Sequence, residues 1–213
     1  MVIDLKRCNA CMACTLACKA ENLTPPDIKW AKLLDRETGN CPKTRRELVP
    51  MLCMQCNEAP CVKVCPTTAS IKRNDGIVWV DYDKCIGCKY CIVACPYNSR
   101  YYYEDDTPYF LLRFTPTEVF DSTVIGVQKK QLGTVQKCDF CKHRIEAGIK
   151  EGLEPGVDWE ATPACVNACP ARARVFGDLN APDSEVSRLK RSGSAFQLLP
   201  ELGTEPSIYY LSA

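Results

Sequence analysis

Sixteen of the 17 cysteines in this chain fall into four tight groups, and that grouping limits what the chain can fold into more than any other feature. In "CIGCKYCIVACP", Cys85, Cys88, Cys91 and Cys95 crowd into one short run, and a proline follows. Thiols two or three residues apart are poorly placed to bridge one another but well placed to grip one metal centre. A disulfide framework would scatter them instead. The device recurs as Cys8, Cys11, Cys14 and Cys18 in "CNACMACTLAC" and as Cys53, Cys56, Cys61 and Cys65 in "CMQCNEAPCVKVC". A split copy joins Cys138 and Cys141 of "CDFC" to Cys165 and Cys169 of "CVNAC".

Motifs one and three fit C-x2-C-x2-C-x3-C, the run that holds cubane iron–sulfur clusters in bacterial ferredoxins, where the fourth cysteine serves the other cluster of a pair. Pro66, Pro96 and Pro170 follow that fourth cysteine and turn the chain; motif one has Lys19 there, read either as a cation steadying an anionic cluster or as a solvated lysine. Zinc is the rival. It favours two C-x2-C knuckles a dozen or more residues apart, so motif four alone passes for a distorted ribbon and motifs one and three do not.

Between Cys65 and Cys85, "SIKR" and "IVWV" read as strands and "NDG" as a hairpin turn, the layout of a two-cluster ferredoxin. Motifs two and three therefore pair, which leaves one and four to pair across the chain. The swap assigns Cys8, Cys11, Cys14 and Cys169 to one cluster and Cys138, Cys141, Cys165 and Cys18 to a second. Cys53, Cys56, Cys61 and Cys95 hold a third, and Cys85, Cys88, Cys91 and Cys65 a fourth.

Formal charge is +1, from 27 basic and 26 acidic residues, with none of the basic excess of a nucleic-acid binder. That count treats cysteines as neutral. Each oxidised cubane core of about +2 sits on four thiolates, so four clusters add roughly −8 and bring the loaded chain near −7. Lys6, Arg7, Lys84, Lys89, Lys137, Lys142 and Arg172, beside the motifs, read as partial compensation. The start has no export-signal pattern, and no apolar run approaches a membrane span, so a partner is expected to carry the chain to any membrane.

Elsewhere, Tyr101, Tyr102, Tyr103 and Tyr109 are expected to pack on their own module as an edge strand rather than on a partner, and Pro108 and Pro116 argue against a regular central strand. Gly148 is read as the cap of the helix "CKHRIEAG". Gly152, Pro155, Gly156 and Pro163 mark a loop that returns Cys165 to its cluster. "APDSEVSRLKRSG" reads as a surface helix capped by Asp183 or Ser184, with Val186 and Leu189 inward and Gly193 as its stop; "PSIYYL" reads as a strand. Cys41 fits no set and is read as a buried free thiol. His143, the single histidine, is read as a helix-surface residue, with tuning or proton transfer beside a cluster as the alternative.

The motifs "MVIDLKRCNACMACTLACKAEN", "LCMQCNEAPCVKVCPTTAS", "DGIVWVDYDKCIGCKYCIVACPY", "KCDFCKHRIEAG" and "TPACVNACPARARVFGDL" resemble the four-cluster iron–sulfur subunits of molybdenum-dependent respiratory reductases. These act on polysulfide, thiosulfate, tetrathionate, arsenate and dimethyl sulfoxide. The resemblance implies an α+β fold of two pseudo-symmetric ferredoxin-like modules and four [4Fe-4S] clusters. It also implies docking to a large bis-pterin molybdenum subunit, often with a membrane quinone-reactive subunit. The expected division is 1–50 plus 137–180, 51–100, an inserted segment 101–136 and a C-terminal helix and tail 181–213. The function expected is non-catalytic electron transfer in a membrane-associated complex, on the outer side by co-export or on the cytoplasmic side. The alternative is a polyferredoxin or a subunit of a formate dehydrogenase or hydrogenase complex. A chain of this length has a radius of gyration of about 17 Å, which four clusters in a row would span.

Overall fold

In the computed structural model, which describes residues 1–105, 126–128 and 130–212, proline decides how long the cysteine-bearing helices are. Three of them are four residues each: α2 (Pro60–Lys63), α3 (Tyr90–Val93) and α5 (Ala164–Asn167). Each is followed by one turn residue, then Cys65, Cys95 or Cys169, then proline. Proline removes an N–H and pushes the residue before it out of the helical region. The chain then folds back: the carbonyls of Cys65, Cys95 and Cys169 accept from the amides of Thr68, Asn98 and Arg172 at 3.3, 3.3 and 3.1 Å. All three donors have positive φ, at 55, 50 and 47°. Motif one lacks the proline, and its helix α1 (Ala13–Asn22) runs on for ten residues. Lys19 is not simply a solvated lysine. Its ammonium donates to the carbonyls of Pro25, Pro26 and Ile28 at 2.6, 3.1 and 2.8 Å and latches the turn that follows α1.

Among the described residues the strands form one four-stranded sheet and three two-stranded ones. The expected hairpin is present: β4 (Ser70–Lys72) pairs antiparallel with β5 (Val78–Val80), Ile71 opposite Trp79, around Gly76 at φ +83°. A longer hairpin, β2 (Lys32–Thr38) with β3 (Arg45–Met51), carries cross-strand Arg36–Glu47 and Arg46–Asp35 pairs on its exposed end. Cys41 lies in its connecting loop and is exposed, not buried as its sequence context suggests. Tyr101 and Tyr102 form β6, paired with β7 (Val135–Gln136), and Tyr103 is buried, so these tyrosines do pack at home. Pro108, Tyr109 and Pro116 lie outside the described residues.

The four-stranded sheet has the order β8 (Arg174–Val175), β1 (Val2–Asp4), β10 (Tyr209–Leu211), β9 (Ala195–Phe196). β1 runs parallel to β10, with Ile3 opposite Tyr210. Val2, Ile3, Ile208 and Tyr210 are fully buried, and the Tyr210 hydroxyl donates to the Pro50 carbonyl at 2.9 Å. The last strand thus anchors both the first strand and β3. Helix α6 (Glu185–Lys190) covers this sheet through buried Val186 and half-buried Leu189. Its cap is Ser184, whose Oγ accepts from the Ser187 amide at 3.2 Å; the helix ends at Lys190, three residues before Gly193. Residues 204–207 continue onto motif two, where the Asn57 amide donates to Glu205 O and the Ser207 amide to Met54 O, both at 2.9 Å.

Helix α4 (Lys142–Lys150) corrects the role of Gly148, which sits inside the helix rather than capping it. The turn comes at Gly152, φ +78°. At Gly148 a Cβ would stand 2.4 Å from the Ala161 Cβ, so glycine is there to let the following loop close onto the helix. Gly148→Val is expected to destabilise the loaded protein by about 1–3 kcal/mol through overpacking, read as a thermal midpoint below that of the unaltered protein.

Candidate metal centres

The second residue between the paired cysteines is left-handed in every motif: Ala10 (φ 59°), Gln55 (49°), Gly87 (67°) and Phe140 (59°). Three of these carry side chains that disfavour such backbone, and strain of this kind collects at ligand loops. Gly87 has no choice, since a Cβ there would meet the Gly133 carbonyl oxygen at 2.0 Å. The turn curls each loop about its thiols. Amides from neighbouring segments reach the sulfurs: Ser70 N donates to Cys65 Sγ at 3.4 Å, Ala173 N to Cys169 Sγ at 3.3 Å and Val135 N to Cys85 Sγ at 3.5 Å.

Three cavities are each lined by four cysteines. Cys8, Cys11, Cys14 and Cys169 share one of about 430 Å³. Cys53, Cys56, Cys61 and Cys95 share another of about 330 Å³, and Cys65, Cys85, Cys88 and Cys91 a third of about 310 Å³. The remaining four also meet. Asn22, at the end of α1, donates its Nδ2 to Cys18 Sγ at 3.6 Å and to Cys141 Sγ at 3.5 Å, while Cys138 and Cys165 lie close enough to Cys18 to raise its pKa. Each group thus brings three cysteines of one motif together with one cysteine of another.

Burial differs between the sets. Cys18, Cys138, Cys141 and Cys165 are all buried, as are Cys53, Cys56 and Cys61. By contrast Cys11 and Cys88 are exposed, and their neighbours Cys8, Cys14, Cys169, Cys65 and Cys85 are half-buried. Burial first, and crowding by one another second, push the thiols of Cys18, Cys138 and Cys141 well above the usual range; Cys56 is pushed up to about 12 for the same reasons. Thiols so placed do not ionise alone. A cationic core is what would make thiolates of them, so the donor set fits iron–sulfur clusters. Among the described residues no three His, Cys, Asp or Glu side chains converge on one point as a single bound ion requires.

The sets are joined by polar groups. Gln55 donates Nε2 to the Cys138 carbonyl at 2.8 Å and accepts from the Val78 amide at 2.7 Å; Val78 lines the Cys53 cavity. Lys137, 1% exposed, donates to the carbonyls of the same two residues. Arg100 lines both the Cys53 and the Cys65 cavities, and Arg174 lines the Cys8 cavity. Sequence reasoning missed both arginines. The other cations singled out there behave differently: Arg7 pairs with Asp4, Lys84 with Asp81, Lys89 lies over the Tyr102 ring and Lys142 over Trp79. Only Lys137 of that group is fully buried.

His143 is not a free surface residue. Its Nε2 meets Glu21 Oε1 at 2.7 Å, and Arg144 Nη1 meets Glu21 Oε2 at 3.3 Å. The hydrogen bond from His143, followed by the Arg144 charge, holds the Glu21 carboxyl below its ordinary value against the cost of burial. The pair ties α1, which carries Cys18, to α4, which begins just after Cys141.

Comparison with known proteins agrees with this chemistry. A 4Fe-4S dicluster domain model matches residues 44–109, a second 4Fe-4S dicluster domain model matches 77–170, and a 4Fe-4S binding domain model matches 5–21. The protein is an iron–sulfur protein of the ferredoxin-like dicluster class, and zinc is set aside. A selenate reductase subunit from Mesobacillus selenatarsenatis is 41% identical over 100% of this chain and 71% of its own length. The arsenate respiratory reductase iron–sulfur subunit ArrB of a Shewanella strain is 38% identical over 99% of this chain and 94% of its own. The iron–sulfur cluster-binding subunit of a menaquinone reductase from Nitratidesulfovibrio vulgaris is 39% identical over 100% and 88%. The chain belongs to this family of iron–sulfur electron-transfer subunits of respiratory reductases. No helix among the described residues is long and apolar enough to cross a membrane.

Proposed function

We propose that the chain holds four [4Fe-4S] clusters in a single file and passes electrons between a molybdenum bis-pterin catalytic subunit and a membrane quinone-reactive subunit. The ligand sets are Cys8/Cys11/Cys14/Cys169, Cys18/Cys138/Cys141/Cys165, Cys53/Cys56/Cys61/Cys95 and Cys65/Cys85/Cys88/Cys91, in that order along the file, within two pseudo-symmetric modules. The observation that carries the reading is the difference in exposure: the two end sets each have an exposed cysteine, while the two middle sets have none. Such a file has two docking ends and an insulated centre. Bound in these sets, a cluster supplies one-electron storage. The chain's own residues hold it, donate amides to its sulfurs and keep water from the middle pair.

The relatives support the partners. Three are named as subunits of selenate, arsenate and menaquinone reductases. The working position is peripheral, in a membrane-associated complex, on the outer side by co-export with a partner. Anaerobic purification followed by iron and acid-labile sulfide analysis is expected to give about 16 iron atoms per chain, four per cluster. A reproducible count near eight, with zinc filling the rest, would remove the four-cluster reading. Co-purification with a molybdenum protein separates it from a free-standing polyferredoxin.

A further inference from the structure

We propose that Arg100 and Arg174 are positioning residues for potential: each guanidinium is shared by two neighbouring clusters and raises both together. The proposal rests on the four-cluster reading above.

Both side chains are enclosed, each residue 4% exposed. Arg100 Nη1 donates to Ser70 Oγ at 2.8 Å, while its Nε and Nη2 have no hydrogen-bond partner. The side chain lines both the cavity that holds Cys61 and the one that holds Cys91, and its charge favours the ionised form of Cys91. Arg174 Nη1 and Nη2 likewise have no hydrogen-bond partner; the side chain lines the cavity that holds Cys14, and its charge favours the ionised form of Cys165 of the next set. Each arginine therefore stands near thiols of both sets of a pair, close enough for its charge to act on them.

Their positions in the chain correspond. Each follows a cysteine–proline pair at the same spacing, "CPYNSR" for Arg100 and "CPARAR" for Arg174. The matching position after Cys65 is Ser70, the acceptor of Arg100, and after Cys18 it is Leu23. One arginine serves each pair. The middle junction is built differently, since Gln55 and Lys137 span it with hydrogen bonds to backbone groups.

The physics favours this use. A buried cation without an anion is costly, and the guanidinium cannot escape by losing its proton. Its planar fork of five donors reaches two acceptors at once in a fixed geometry that a lysine lacks. Cluster potential follows local charge and hydrogen bonds to sulfur. A cation enclosed between two anionic centres favours the more negative, reduced state of both. Exposed lysines near the motifs are screened by salt and weigh less.

The test uses the assembled, cluster-loaded complex. Arg100→Gln and Arg174→Gln are compared with Arg100→Lys and Arg174→Lys by EPR-monitored redox titration and iron count. Ligand variants identify which signal belongs to which set. Arg100→Gln is expected to lower two of the four midpoints, Arg174→Gln the other two, and lysine to shift the same pair less. Unmoved midpoints with iron retained, or all four moving alike, would overturn the proposal. So would lysine shifting them as far as glutamine, which would make shape rather than charge the cause. If a glutamine variant does not load iron, its lysine variant decides: unequal shifts confined to one pair support the proposal, and no shift overturns it. Four separable signals and about 16 iron atoms in the unaltered protein test the underlying reading by themselves.

Discussion

Removing iron from the assembled protein is expected to cost the chain its fold as well as its colour. The core is built partly of the proposed ligands: Cys18, Cys53, Cys56, Cys61, Cys91, Cys138 and Cys165 stand in the same buried cluster as Ile3, Leu52, Val78 and Tyr210. Taking the clusters away leaves Arg100 and Arg174 enclosed among neutral thiols. A buried charge that loses its partner costs about 3–5 kcal/mol, so the two together cost about 6–10. That is comparable with the whole stability of an ordinary domain, about 5–15 kcal/mol. The strained left-handed loops then lack the centre they wrap. Secondary structure contributes little independent support, since the longest described helix is ten residues and the longest strands are seven. Anaerobic chelation followed by circular dichroism and amide exchange should show loss of the cooperative transition and of protection in β1, β8 and β10. A chelated chain that still melts cooperatively near the midpoint of the loaded one would refute this.

Substitution of single ligands should report the crossed wiring. Cys18→Ser and Cys141→Ser are expected to alter the same EPR signal, although the two residues belong to different motifs. Cys11→Ser and Cys169→Ser are expected to alter another signal together. Serine oxygen is a harder ligand than thiolate, so each change should shift or abolish one centre while leaving the others. The contact through Asn22, which reaches the sulfurs of both Cys18 and Cys141 across 119 residues of chain, is the motive for the first pair. Should Cys18→Ser instead match Cys11→Ser, motifs one and four do not exchange ligands.

Much of this was legible because cysteine spacing, proline and hairpin turns act locally. "NDG" sets its turn wherever it stands, Ser184 caps because its hydroxyl reaches the Ser187 amide, and proline stops three helices at the same point. What was not legible depends on burial across long separations. A charged residue is ordinarily outside, so lysines beside the motifs drew notice while Arg100 and Arg174 did not. A signal was present in the repeated C-P-x-x-x-R, but nothing in one sequence says that its last residue turns inward. Glycine after a short helical run reads as a cap, and only the loop returning through Ala161 shows that Gly148 is a contact surface. Cys41 has the apolar thiol of a core residue but sits in a hairpin loop. His143 looked peripheral because Glu21, its partner, is 122 residues away.

The parallel pairing of β1 with β10 also bears on biogenesis. Synthesis runs from the first residue to the last, so β1 emerges long before the strand that covers it. The two sets proposed for motifs two and three need no ligand beyond Cys95, whereas the set proposed for Cys8 waits for Cys169, and its supporting sheet waits for Tyr209–Leu211. The motif made first is therefore the one finished last. With those ligands, Cys8, Cys11 and Cys14 would stand as open thiols at least until Cys169 and Tyr209–Leu211 have been made, and that interval is their vulnerable period, to oxygen or to a wrong metal.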